Sequence, residues 1–536
     1  MCGIYWYSRG ISRTDRFTPS KHRCLKPRGP DETKIINSED FYAAFYRLAI
    51  VGVDKGMQPF MNLSDILMCN GEIYNHEEIE ADCKVPNTTG SDCECIYQMW
   101  CSGMPMERIV RKLHGEFAFT LHDTHRDITY FARDRLGRKP LYYSTNSGGD
   151  FDICSLYAGL EFDKKEQVVP GVLYAYNRLS KCLSQVPYHT FSYNPEEEID
   201  DTDSDTSSMQ VMNLFVNAVR RRVQQSERPV GFLLSGGFDS SLVLSTALQH
   251  CDFKTPPEVF TIGFDENAPD VVSAGVMVEH LKKKFGPNCI NWHRVILPLS
   301  DAIKAIPSVI KALETYDTTT IRASVPMWLI SRYIAQHTKV RVLISGEGSD
   351  ELFGGYLYFK YAPDDFAFTA EICKLLRELY LFDVLRADRT TAAWGLEVRT
   401  PFLDDDFVDF VLSSYNLVRS QNTTKEFIRN VVSTTDLLPD SILWGKKEAF
   451  SDAVGLSWKD QITHTADDFV NEHDHSEQRI NVSNVIPPQT NEMIYFQYLF
   501  GIEFPNSWHL LPKLWLPNQS WIKTGVEPSA RVLPIY

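Results

Sequence analysis

From residue 41 to residue 134 the chain carries short apolar runs, FYAAFYRLAI, DILMCN, EFAFTLHD and ITYFARD, separated by polar and turn-forming residues. Runs of that length, rich in aromatic and β-branched residues, predict strands. Beyond residue 229 the pattern changes. Apolar runs VGFLL, EVFTIGF and KVRVLIS alternate with longer stretches such as SSLVLSTALQH and VPMWLISRYIAQ, which read as helices. Strands alternating with helices predict a parallel sheet covered on both faces. The expected organisation is an antiparallel, layered α+β domain followed by a doubly wound α/β domain. No repeat of fixed period is visible.

The boundary is written in the polar positions. NPEEEIDDTDSDTSS, residues 194–208, holds one apolar residue among acids, Ser and Thr, a composition that cannot bury enough surface to fold. Directly after it, Met212, Phe215, Val219 and Val223 fall on one helical face. We therefore expect a first domain over 1–193, an acidic linker over 194–208 and a second domain over 209–536. A chain of 536 residues requires more than one core in any case, since single cores stop growing near about 250–300 residues.

Charge narrows the function. With 54 basic and 70 acidic residues the net charge is −16, which argues against nucleic acid or an anionic membrane as a general partner. No run approaches the roughly 18 apolar residues of a membrane span. Arg9, Arg13, Asp15 and Arg16 interrupt any signal-like apolar start. The 12 cysteines show no compact spacing, and Cys93-Glu-Cys95 lacks the paired spacing of a zinc site. Reduced thiols in a cytoplasmic protein are expected.

The first chemical signal is VGFLLSGGFDSSLVLSTAL. A buried strand runs through Ser235-Gly236-Gly237 into a helix near Asp239. Glycines let the backbone approach a phosphate, and the free N–H groups of the helix start face it; Ser235, Ser240 and Ser241 add hydroxyls. The Gly-Lys-Ser/Thr element of the usual mononucleotide loop is missing. The full SGGxDSS instead resembles the loop of ATP pyrophosphatase-type ligases, which cleave ATP between the α- and β-phosphates. Phe238 stands where such loops often carry an aliphatic residue. A second strand-to-loop segment, KVRVLISGEGSDELFGGY, sets Glu347, Asp350 and Glu351 among glycines at a strand end. Open α/β sheets bind ligands at that end. Mg²⁺ coordination and capture of an amino-acid substrate are the expected roles.

The second signal is at the start, MCGI. Removal of Met1 would leave a thiol and an α-amine on one residue, Cys2. An α-amine with a pKa of about 7.7–8.0 is a base near neutrality, and a thiolate is the nucleophile of acyl transfer. Arg47 in YRLAIVG and Asp92 in GSDCE could clamp the α-carboxylate and α-ammonium of glutamine. Asn70 and the Gly71 N–H, in CNGEIYN, could form an oxyanion hole. Taken singly, each of these reads as a turn or a surface residue. In this order behind a leading Cys-Gly-Ile, they resemble the N-terminal-nucleophile glutamine amidotransferases.

With both ends in view, the chain resembles the glutamine-hydrolysing asparagine synthetases nearly end to end. The resemblance runs through MCGI, RGPDE, RLAIV, NGEIYN, GSDCE, RDRLGRKPLYY, SGGFDSS, ETYDTTTIRAS, SGEGSDELFGGY, WGLEVRTPFLD, KKEAFSDAVGLSW and EPSARVL. It implies an αββα N-terminal-nucleophile glutaminase domain followed by an ATP pyrophosphatase-type synthetase domain. Ammonia released through a Cys2 thioester would cross an internal tunnel and attack β-aspartyl-AMP, giving asparagine, AMP and pyrophosphate. The resemblance further implies that Arg47, Leu48, Ala49, Ile50, Val51, Asn70, Gly71, Glu72 and Asp92 bind glutamine. Leu233 and Ile262 would frame adenine and ribose, and Ser345 and Gly346 would also touch ATP. Asp239 and Asp350 would hold Mg²⁺. Glu347 would be the acid beside aspartate and the reacting amine, and Thr319, Arg322 and Lys447 would stabilise adenylation. A cytoplasmic homodimer acting on glutamine, aspartate and ATP is implied as well. Pro27 departs from the family, which usually has a histidine before RGPD. Two other readings stay open: a ligase of the same type acting on another carboxylate, and a degenerate non-enzymatic relative.

Overall fold

The computed structural model describes residues 1–10, 17–62, 65–192, 204–414, 424–445, 454–455, 457–472 and 486–522. The chain divides into two compact units. The first comprises Met1–Thr190 with Gln225–Pro229 and Thr391–Glu397; the second takes the remainder.

In the first unit the apolar runs become two six-stranded antiparallel sheets. Period-two alternation decides what each strand covers. In strands Asp65–Ile73 and Gly115–Asp123, the side chains of Leu67, Cys69, Phe117, Phe119 and Leu121 share one core with the helices His76–Asp82, Glu94–Cys101 and Met106–Lys112. The alternate residues, Ile66, Met68 and Ala118, point the other way. They join Ile4, Trp6, Ala43 and Phe45 of the first sheet in a second core. Cys93 and Cys95 belong to the helix-covered core. The outer face of the first sheet is aromatic. Tyr5 stacks on His22 at 5.0 Å, and both ring nitrogens of His22 meet tyrosine hydroxyls, Tyr46 at 2.9 Å and Tyr42 at 3.2 Å. Among the described residues, short 3-10 turns, Lys21–Leu25 and Tyr157–Gly159, are the helical elements of that side.

The acidic stretch is shorter than its composition suggests at its far end. Residues 194–203 lie outside the described residues, and 204–208 are already helical, in Ser204–Gln224. Once that helix has an apolar face to dock, its polar first turn follows at little cost. The docked face is Val211, Phe215, Ala218 and Val219, with Arg222 completing it. Arg222 is tolerated there because Asp404 accepts its Nη1 at 2.7 Å.

In the second unit the sheet order is Asn291–Ile296, Glu258–Gly263, Val230–Leu233, Val342–Ile344, Glu397–Arg399. The first four strands run parallel. Val230–Leu233 has the next strand in the chain on one side and a much later one, Val342–Ile344, on the other. The connections therefore leave in opposite directions between these two strands. That switch point is where an open α/β sheet leaves a crevice, and both motif loops emerge there.

Candidate active sites

The first site gathers around Cys2. Its backbone N–H donates to the Asn70 side-chain oxygen at 2.8 Å, and its thiol lies 3.7 Å from the Leu48 carbonyl. Arg28 Nε donates to the Cys2 carbonyl at 3.2 Å, beside an exposed Pro27. Asn70 is fully buried, and among the described residues its amide nitrogen has no partner. A buried unpaired donor costs about 1–3 kcal/mol unless something fills it. Asn70, Gly71 and Glu72 are not in a turn. They lie inside strand Asp65–Ile73, where Gly71 has φ 145° and a Cβ would come within 1.9 Å of the Glu116 carbonyl oxygen. Only glycine permits that approach.

The remaining expected glutamine contacts converge on the same region. The Ala49 N–H donates to Asp31 of RGPDE at 2.9 Å, which ties that motif to the buried Leu48, Ala49 and Ile50 and the half-buried Val51. Buried Arg47 bonds Glu32 at 2.8 Å, the Val53 carbonyl at 2.9 Å and the Gly52 carbonyl at 2.6 Å. The loop it braces abuts Gly90 and Ser91, since a Cβ on Gly52 would lie 2.9 Å from either backbone. Asp92 follows immediately, buried, and accepts from the Ile73 N–H at 2.6 Å. Glu72 is buried as well.

With Met1 present, burial pushes the Cys2 thiol up to about 11, against the lowering effects of the terminal ammonium and the Leu48 contact. A thiol with that pKa is only about 0.1 % thiolate at pH 8. A chain that retains Met1 should therefore be alkylated slowly by iodoacetamide at Cys2 near neutrality, and faster as the pH approaches 11. A chain beginning at Cys2 should react well below that pH. Mass-spectrometric alkylation rates of the two forms check this, and equal rates would refute it.

The second site is a cavity of about 530 Å³ in the second unit. Leu233, Ile262, Ser235–Ser240, Ser345–Glu347, Asp350, Thr319 and Arg322 all line it. Gly237 caps helix Phe238–His250, and the Ser235 and Ser240 hydroxyls bond each other at 3.1 Å across the turn. Gly236 has φ 76° and touches a neighbouring backbone so closely that a Cβ would lie 2.2 Å from Ala274 N. Gly346 is pressed on Asp239 in the same way, at 2.9 Å. Phe238 is buried with the Arg429 guanidinium 5.0 Å above its ring, so the departure at this position has a local partner. Thr319 presents a buried hydroxyl that has no partner among the described residues.

Several groups here escaped the sequence reading. Arg386 Nη2 donates to Glu347 at 2.6 Å and pairs with Asp383 at 2.9 Å. Burial still raises the Glu347 carboxyl, with Asp383 adding to that and Arg386 opposing it. Tyr356 donates to Glu351, whose carboxyl is raised well above its ordinary range by burial and then by Asp383 and Asp350. Arg322 is held by both oxygens of buried Glu492, at 2.7 Å for Nε, and Trp458 donates to its carbonyl at 3.1 Å. Lys425 joins the two expected metal ligands: its ammonium lies 2.6 Å from Asp239 and 2.7 Å from Asp350. Apart from Tyr356–Glu351 and Arg386–Asp383, these partners lie 39 to 186 positions apart in the chain. The signals that might have found them, an Asp383/Arg386 pair one helical turn apart and an isolated Lys in TTKEF, are too common to carry weight. Lys447 lies outside the described residues.

Comparison with known proteins decides the family. The asparagine synthase model matches residues 210–370 and 363–485, and the glutamine amidotransferase domain model matches residues 1–193. An asparagine synthetase [glutamine-hydrolyzing] of Gallus gallus is 37 % identical, covering 100 % of this chain and 99 % of its own. The chain belongs to the glutamine-hydrolysing asparagine synthetase family. The Homo sapiens member is 35 % identical over 100 % of this chain and 99 % of its own. A probable member from Acanthamoeba polyphaga mimivirus is 35 % identical, covering 95 % of each. The fold accordingly is an N-terminal-nucleophile glutamine amidotransferase domain followed by an asparagine synthase domain with a parallel sheet. No helix among the described residues is long and apolar enough to cross a membrane.

Proposed function

We propose that this protein makes asparagine from aspartate, with glutamine as ammonia donor and ATP cleaved to AMP and pyrophosphate. The observation that carries the reading is the single cavity on which SGGFDSS, GEGSDE and the Thr319–Arg322 segment converge. The aspartate β-carboxylate is a poor acyl donor. Its oxygen attacks the α-phosphorus, pyrophosphate leaves toward the Ser235–Gly237 turn, and ammonia then displaces AMP from the acyl carbon. Glu347, bonded by Arg386, is read as the base that takes a proton from the attacking ammonia. The Thr319 hydroxyl and the Glu492-held Arg322 are read as meeting charge that develops at phosphorus. Family likeness alone assigns Lys447 to the same task. Leu233 and Ile262 supply the apolar wall for the nucleoside, with Ser345 and Gly346 beside it.

Asp239 and Asp350 fit Mg²⁺, because both carboxylates reach one cation at short range. Bound there, the metal would neutralise phosphate charge; the protein residues do the positioning.

In the first unit, Cys2 is read as the nucleophile once its amine is terminal. Asn70 and the Gly71 N–H are read as the oxyanion donors, with Arg47 and Asp92 at the glutamine head group and Leu48–Val51 and Glu72 around it. Losing one oxyanion donor costs about 10²–10³ in kcat. Asn70→Ala should lower glutamine-dependent synthesis by that factor and leave synthesis from ammonium chloride unchanged, as measured by asparagine formation with each donor. The domain division 1–193, 194–208 and 209–536, a cytoplasmic location and a homodimer complete the reading and rest on the family likeness and the sequence pattern.

Incubation with aspartate, MgATP and amide-¹⁵N glutamine tests the function. Labelled asparagine with equal AMP is expected. Glutamate and ammonia without asparagine would overturn the choice of aspartate.

A further inference from the structure

Lys425 is an unusual residue to find where it stands. It is 2 % exposed, with φ 60°, in the left-handed region that few non-glycine residues enter. It opens helix Glu426–Ser433 and turns inward. Its ammonium donates to both oxygens of Asp239, at 2.6 and 2.7 Å, and to the Ser349 hydroxyl at 3.1 Å, and forms an ion pair with Asp350 at 2.7 Å. The packing is made for this. Gly355 leaves the room, since a Cβ there would lie 2.1 Å from Asp350 Oδ1 and 2.4 Å from Lys425 Cε.

Two carboxylates facing one point repel unless a cation lies between them. Mg²⁺ prefers oxygens at about 2.0–2.1 Å and would need that same point. The ammonium and the metal therefore exclude each other. A phosphate chain bound on the Ser235–Gly237 turn would bring a new anion into this cavity, to which the ammonium could move, and lysine serves phosphate well as a mobile point charge. We propose that Lys425 is a built-in counter-cation that closes the Asp239–Asp350 pair to a divalent ion until a nucleoside triphosphate draws the ammonium away. Metal then binds tightly with the nucleotide or after it, and only weakly before. This rests on the reading of Asp239 and Asp350 as metal ligands.

Mn²⁺ binding to the full-length protein, followed by the electron paramagnetic resonance of free Mn²⁺, tests it without turnover. Wild type should bind Mn²⁺ weakly alone and tightly with a non-hydrolysable ATP analogue. Lys425→Met, without nucleotide, should bind at least about tenfold more tightly than wild type, and adding Asp350→Asn should abolish that gain. Wild type binding Mn²⁺ equally well with and without the analogue would overturn the proposal, and this comparison needs no variant. So would Lys425→Met, or Lys425→Gln if the former does not fold, binding no better than nucleotide-free wild type. Failure of wild type to bind Mn²⁺ even with the analogue would instead sink the metal reading, and the proposal with it.

Discussion

Replacing Cys2 by alanine should abolish glutamine-dependent asparagine formation and leave formation from ammonium chloride within about twofold of wild type. The asymmetry follows from where the thiol stands. Cys2 lies in the first unit, against Asn70 and the Leu48 carbonyl. Leu233, Asp239, Ile262, Thr319, Arg322, Ser345, Gly346, Glu347 and Asp350, all read as serving the ATP chemistry, line a cavity in the second unit. A side chain that acts only by forming the thioester is irrelevant when ammonia is supplied directly. Parallel assays with the two nitrogen donors check this. Equal loss with both would mean that the substitution acts on folding or that the thiol is not the nucleophile.

Glu347→Gln should produce the opposite pattern. Synthesis should fall by about 10²–10⁴ with either donor, the usual worth of a positioned acid or base, while glutamine hydrolysis should persist. The substitution keeps the shape but removes the carboxylate that Arg386 Nη2 bonds at 2.6 Å. Arg386 keeps Asp383 at 2.9 Å, so its own burial stays compensated and the unit should remain folded. The check is glutamate release compared with asparagine release in the same reaction. Unchanged synthesis would remove Glu347 from the chemistry.

The fold was legible wherever local pattern and tertiary outcome agree. FYAAFYRLAI and EFAFTLHD are short apolar runs that become strands Phe41–Arg47 and Gly115–Asp123, and VGFLL becomes the strand that delivers Ser235. NGE was not legible in the same way. Alone it reads as a turn, yet it sits mid-strand because Gly71 lets the Glu116 carbonyl come close. The position of each candidate residue could be named because motifs are local. Their partners could not, because ion pairs join residues far apart in the chain: Lys425 and Asp239 are 186 positions apart, Arg322 and Glu492 170. Burial makes these pairings obligatory, but only the folded chain says which charges meet.

Whether aspartate is activated as an acyl-adenylate is tested most directly with β-carboxylate-¹⁸O aspartate, unlabelled ATP and glutamine. Attack of the carboxylate on the α-phosphorus followed by displacement with ammonia leaves one aspartate oxygen on AMP. One ¹⁸O per AMP, matched by asparagine that has lost one, is the predicted result. Unlabelled AMP, or label in inorganic phosphate alongside ADP, would contradict it.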